Sequence, residues 1–287
     1  MQSTYIYGRH AVKELIQNHP ERVQGVFVSI GAEKEFTELA RRAHIRVEPL
    51  ADHDFRKELD GAVHQGVVAK VAVDGLVRDY DEFMRGLEVS SSTSLVLLNE
   101  ITDPHNVGAI VRSAAAFGAA AVLIPTHNQA PITGAVAKAS AGMVFVMPIV
   151  AISNENQTIE DLKRRRFWIY GLAGEKPKEL SEKLMKKNPM LGAGKTTPEA
   201  YNSYGEGGVG APQRRSGTFS TVFEEKFDAA AVFVVGSEGE GLRAKTREHC
   251  DILLRVPMHP RTESLNASVS AAVVLAEWSK QHPEALQ

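Results

Sequence analysis

Apolar and polar positions along the chain fall into two regimes. Up to about Val73, short β-branched runs are interleaved with helical ones. Val23–Ile30 is strand-like, and Glu33–His44 sets Phe36, Leu39, Ala40 and Ala43 on one stripe between charges, a helical spacing. Ile45–Val47 reads as a short strand, Asp52–Leu59 as a helix and Gly66–Val73 as a strand. Residues 1–73 are therefore expected to form a small α/β unit with its own core. The next stretch, 74–94, is polar and ends in the serine run Ser90–Ser94. It is expected to be a flexible linker with a short helix at Tyr80–Leu87.

From Leu95 the alternation becomes regular. Strands are predicted at Leu95–Leu98, Ala120–Ile124, Val144–Val150, Phe167–Leu172, Ala231–Val235 and Asp251–Val256. Between and after them, helices are predicted at Val107–Phe117, Ile132–Ser140, Ile159–Arg166, Leu242–His249 and from about Asn266 to Gln281. Such alternation implies right-handed crossovers and a mostly parallel sheet in an α/β domain over 95–287. Lys186–Glu225 breaks the pattern: seven of the 23 glycines fall between Gly192 and Gly217. A disordered insertion is expected there.

Composition narrows the class. Of 287 residues, 43% are hydrophobic and 24% charged, as in an ordinary globular protein. The longest apolar runs, such as Ala114–Ile124, are too short for a membrane span, and the N-terminus has no apolar leader segment. The single cysteine, Cys250, excludes an internal disulfide, and the ten histidines show no metal-ligand spacing. A cytoplasmic protein without a metal is expected. Lys and Arg total 33 against 35 Asp and Glu, a net charge of -2. A polyanionic partner would have to be attracted by local groups such as Arg41-Arg42, Lys163–Arg166 and Lys183–Lys187, not by the global field.

Two glycine-rich segments fail as nucleotide motifs. GAGKTT at Gly192–Thr197 lacks the first glycine of a phosphate-binding loop, which would fall at Pro189. GSEGEG at Gly236–Gly241 has the wrong spacing for a dinucleotide fingerprint and lies late in the chain. Three segments remain. Asn99–Gly118 follows a strand, breaks at Asp103-Pro104 and enters a helix, so that Asn106 either caps the helix or faces a ligand. Arg112 lies six residues on, off the Asn106 face unless Asn106 precedes the helix. In Ala231–Met258 an apolar strand runs into Gly236, with Glu238 in a glycine-bracketed turn at the strand's carboxyl end, where open α/β sheets bind ligands. In Glu263–Trp278, Ser264 and Asn266 flank Leu265 ahead of a helix whose Ala267, Ser270, Ala271 and Val274 form a small-residue face. Capping and ligand contact both suit Ser264 and Asn266.

Taken in order, DPHNVGAIVRSAAAFGA (Asp103–Ala119), VVGSEGEGLR (Val234–Arg243) with VPM at Val256–Met258, and SLNASVSAA (Ser264–Ala272) resemble the motifs of the SpoU/TrmH family of RNA ribose 2′-O-methyltransferases, within the SPOUT superfamily. The N-terminal unit, from YGRHAVKEL to VHQGVVAKV, resembles the L30e-like RNA-binding domain that many members carry. The subgroup most resembled methylates a guanosine of bacterial large-subunit ribosomal RNA. The resemblance implies a C-terminal α/β domain with a trefoil knot and S-adenosylmethionine held largely by main-chain groups, with Gly236, Val256 and Leu265 matching the cofactor site. It also implies a homodimer with sites completed across the interface. By the same resemblance Asn106, Arg112, Glu238, Ser264 and Asn266 line the reaction site, Arg112 acting as general base or as a phosphate clamp. Transfer RNA as substrate, or a non-catalytic role in ribosome assembly, are the alternatives. Two departures stand out: the charged run His259–Glu263 ahead of Ser264, and Phe145 where relatives often carry an acidic residue.

Overall fold

The computed structural model describes residues 3–30, 33–50, 64–72, 75–172, 218–237, 241–259, 261–262 and 264–287. The expected helix Asp52–Leu59, the GAGKTT segment, most of the expected insertion and Glu238 lie outside the described residues.

The N-terminal unit is a four-stranded sheet of β1 (Ser3–Tyr7), β2 (Val23–Val28), β3 (Val47–Pro49) and β4 (Val67–Ala72), in the order β1-β4-β2-β3. β4 is antiparallel to both neighbours, whereas β2 and β3 are parallel. Helices α1 (Arg9–Asn18) and α2 (Glu33–Arg42) belong to this unit. β3 starts two residues later than the expected Ile45, because Ala43–Ile45 are used to end α2. His44 turns left-handed with φ 57° and the Ile45 amide donates to the Ala40 carbonyl at 2.8 Å.

The second unit is an eight-stranded sheet in which every pairing is parallel, in the order β10-β12-β9-β11-β6-β7-β8-β5. In chain order it comprises β5 (Val77–Asp79), α3 (Tyr80–Gly86), β6 (Ser94–Asn99), α4 (Pro104–Ala116), β7 (Ala121–Pro125) and α5 (Gly134–Ala139). There follow β8 (Ile149–Ile152), α6 (Glu155–Arg164), β9 (Trp168–Leu172) and β10 (Thr218–Thr221). β11 (Ala231–Gly236), α7 (Ala244–His249), β12 (Ile252–Arg255) and α8 (Ala267–Gln281) complete the unit. All six residues of β6 and all six of β11 are buried, as both faces of a parallel sheet require.

The structure departs further from the sequence reading in the second unit. Within 74–94, β5 joins the sheet edge beside β8, and the serine run is an ordered turn: the Ser90 amide donates to Thr93 Oγ1 at 2.9 Å, and Thr93 is buried. The tail of the expected insertion is not disordered, because β10 pairs with β12 and Val222 is buried after it. The strand expected at Val144–Val150 begins only at Ile149, and Met143–Phe145 is a 3-10 turn. Its apolar residues are buried against α1, not in a ladder, a distinction that an apolar run alone does not carry. α4 and α6 also start earlier than expected, where Asp103 accepts from the His105 amide and Asn154 from the Gln157 amide.

One continuous apolar core joins the two units, with Ile6, Val12 and Leu15 in the same cluster as Val136, Val144 and Phe145. Phe145 is buried, and its carbonyl accepts from His19 Nε2. Burial there gives a reason for an apolar side chain at a position where a carboxylate would lose its hydration. Gly134 abuts β1 so closely that a Cβ would lie 2.3 Å from the Tyr5 carbonyl oxygen. Gly134→Ala is therefore expected to push the N-terminal unit off α5 and cost about 1–3 kcal/mol, read as a shifted denaturant midpoint and faster proteolysis between the units.

Candidate active site

The carboxyl ends of β6, β11 and β12 lie close together, and three loops leave them: 100–103 into α4, 237–243 into α7 and 256–266 into α8. α4 packs against α8, which brings the first and third sequence segments into contact. Asn106 sits in the first turn of α4 and is only 6% exposed. It is not the cap, a role taken by Asp103. Instead its Oδ1 accepts from Asn266 Nδ2 at 3.0 Å, across 160 residues of chain. Asn266 also caps α8, its Oδ1 accepting from the Ser268 amide at 2.8 Å. The capping and the facing roles thus meet in one side chain. Ser264 is exposed just ahead of it, and Leu265 is half-buried.

The loop after β11 folds back on the strand that feeds it. The Ser237 amide donates to the Gly241 carbonyl at 3.2 Å and the Gly241 amide to the Ser237 carbonyl at 3.0 Å. A Cβ on Gly236 would meet the Gly241 carbonyl carbon at 2.4 Å, so only glycine permits this fold-back. Gly241 itself has φ +66°. After β12, Val256 and Met258 are half-buried and outside the ladder. Gly236 at the end of β11, and Val256 and Leu265 in the segment between β12 and α8, thus lie at one edge of the sheet, while Glu238 lies outside the described residues.

Arg112 is not brought to the Asn106–Asn266 pair. Because α4 begins at Pro104, Asn106 is already helical, and six residues at 100° each turn Arg112 about 120° away. Arg112 is exposed and has no hydrogen bond or ion pair among the described residues.

Sequence reasoning missed a polar group beneath the glycine loop. Asn99, the last residue of β6, is 1% exposed; its Nδ2 donates to both carboxylate oxygens of Glu155, at 2.9 and 2.8 Å. Its Oδ1 accepts from the Arg243 amide at 3.1 Å, and Thr246 Oγ1 donates to Glu155 at 3.0 Å. Burial pushes the Glu155 carboxyl above its ordinary range in spite of these donors. The only signal was a polar residue ending the apolar run SLVLLN; Glu155 falls ahead of the helix expected at Ile159 and enters α6 only in the structure.

The expected basic patches are locally compensated. Arg41 and Arg42 pair with Glu38, Arg164 and Arg165 with Asp161, and Lys163 with the buried Asp251. Spacings of three and four residues along helices place these exposed partners together. Such pairs are worth little in water, so their arginines can exchange a carboxylate for a phosphate at small cost. Lys183–Lys187 lie outside the described residues. No described helix is long and apolar enough to cross a membrane, and no group of three or more His, Cys, Asp or Glu among the described residues could hold a metal.

Comparison with known proteins gives consistent matches. The SpoU rRNA methylase family model matches residues 93–276, and the model for the substrate-binding domain of RNA 2′-O ribose methyltransferases matches 5–73. The chain is 34% identical over 284 residues to a 23S rRNA (guanosine-2′-O-)-methyltransferase of Pseudomonas putida, covering 96% of each chain. The Escherichia coli K12 protein of the same name is 31% identical over 285 residues, covering 97% of this chain and 99% of its own. Among solved structures, the SpoU methyltransferase AviRb of Streptomyces viridochromogenes, in complex with AdoMet, superposes with a TM-score of 0.68 at 19% identity, covering 98% of this chain and 91% of its own. At that identity the superposition speaks for the fold.

The two tasks of Asn266 can be separated. Asn266→Ala removes the cap and is expected to cost about 1 kcal/mol in urea unfolding. Asn266→Asp keeps the cap but turns an acceptor toward the buried Asn106 Oδ1, so a loss of about 0.5–1 kcal/mol there reports the bond to Asn106 and not the cap.

Proposed function

The chain belongs to the SpoU rRNA methylase family, and from that premise we propose that it transfers a methyl group from S-adenosylmethionine to the ribose 2′-hydroxyl of a guanosine in 23S ribosomal RNA. The observation that carries the reading is the bond between Asn106 and Asn266, which joins two of the motif segments beside the loop formed by the third. The match of 5–73 to a substrate-binding domain supports an RNA substrate read by the N-terminal unit. Acting on ribosomal RNA, the protein would work in the cytoplasm.

The residues present fit the cofactor. Gly236 has no room for a side chain, and the half-buried main chain at Val256–Met258 lies outside the ladder, which suits a ligand held by backbone groups. S-adenosylmethionine supplies an electrophilic methyl on a sulfonium. The knot belongs to the same reading, supported by β12, which inserts between β9 and β10 although both precede it in the chain.

A ribose hydroxyl is a weak nucleophile, so the protein must hold it in line and ease the loss of its proton. Asn106, Ser264 and Asn266 would present neutral amide and hydroxyl groups to the ribose, and the motif resemblance adds Glu238 to them. Arg112, exposed and turned away from the pair, serves the site of a second copy in a homodimer. Its guanidinium keeps its proton in proteins, so it clamps the adjacent phosphate with its planar fork.

Incubation with methyl-labelled S-adenosylmethionine and unmodified total RNA tests the proposal. The expected product is 2′-O-methylguanosine in 23S RNA. Label in transfer RNA would move the substrate, and RNA binding without label would leave an assembly factor. Asn106→Ala should lower turnover while the protein stays folded. Arg112→Lys should retain appreciable turnover; its abolition at unchanged RNA affinity would make Arg112 the base.

A further inference from the structure

The buried network of Asn99, Glu155 and Thr246 grips both ends of the Gly236–Arg243 loop. Asn99 stands opposite Gly236 in the β6–β11 register, so its strand pairs with the near end. Its side-chain Oδ1 takes the Arg243 amide at the far end, 3.1 Å away. An asparagine amide can flip and exchange its donor for its acceptor, which would release Arg243. The Glu155 carboxylate, an acceptor only when ionised, fixes Nδ2 toward itself and leaves Oδ1 facing the loop. Thr246 ties the following helix to the same carboxylate. A turn as such does not need a carboxylate that is expensive to bury.

We propose that Asn99 and Glu155 are positioning residues, which clamp Arg243 and the start of α7 beside the end of β11, at the edge of the sheet that receives the cofactor. The proposal rests on the methyltransferase reading for its ligand and on the hydrogen-bond geometry alone for the clamp.

An exchange of donor and acceptor tests it. Asn99→Asp faces the Glu155 carboxylate with a second one. The double variant Asn99→Asp with Glu155→Gln restores the pairing, since the amide introduced at position 155 donates to the carboxylate introduced at position 99, which still accepts from the Arg243 amide. Calorimetric titration with S-adenosylmethionine should show affinity about tenfold or more weaker in the single variant, and within about threefold of wild type in the double variant. Amide hydrogen exchange across 241–246, measured without cofactor, should quicken in the single variant and return in the double. Where Asn99→Asp fails to fold, Asn99→Ala, which removes the clamp without adding charge, takes its place, with the double variant as the rescue. Wild-type affinity and exchange in the single variant, or a double variant no better than the single, would overturn the clamp. If the wild-type chain itself binds no S-adenosylmethionine, the activity falls, and the exchange comparison still decides whether the network holds the loop.

Discussion

Parallel pairing of β11 between β6 and β9 sets the position of every group at the site, because it brings strands from distant parts of the chain to a common carboxyl edge. Parallel neighbours need crossovers, so β5, β6, β7, β8 and β11 are each followed by a helix that returns across a face to the next strand. Gly236 lands opposite Asn99, and the segments that lead from β6 into α4 and from β11 into α7 leave the same edge although more than 130 residues separate them. The complete burial of β6 and β11 makes this pairing hard to shift. α4 and α8 then pack closely enough for Asn106 and Asn266 to meet. Small residues serve the same end at the next contact, where a Cβ on Gly108 would lie 2.5 Å from that of Ala139 in α5.

The N-terminal unit is seated on this framework and shares its core. Gly134 against Tyr5 and Phe145 against His19 are contacts that a loosely tethered domain would not need. An RNA held by the first unit is thereby presented to the second in a restricted range of orientations. The balance of charge agrees with such a division of labour. With a net charge of -2 and its helix arginines paired to nearby carboxylates, the protein has little long-range pull on RNA.

Much of the fold was legible in the sequence because apolar runs of the second unit alternate with helical stripes at a regular period. What escaped did so for physical reasons. β5 and β10 have three and four residues, too few for a period, and are strands only because a neighbour's edge awaits them. Val144–Val150 is as apolar as a strand, yet half of it packs on α1. At the site, Asn106 and Asn266 were legible as polar residues at helix starts, but neither sequence position tells which caps and which accepts. The Asn99–Glu155 bond joins two residues 56 positions apart, and beyond the polar end of an apolar run at Asn99 nothing local marks the pair. Arg112 could be located on its helix from spacing alone, and its outward direction is what ties the proposed chemistry to a second copy.

That division of the site between chains is the central claim of the account. It is tested most directly by mixing two variants, Arg112→Ala and Asn266→Asp, each first shown to lack activity alone, after unfolding and refolding together. A dimer that lends Arg112 across its interface regenerates one intact site in each mixed pair, so about a quarter of wild-type methyl transfer to 23S RNA should return. No recovery, in a mixture shown by size and mass to contain mixed dimers, would mean that each chain builds its site alone.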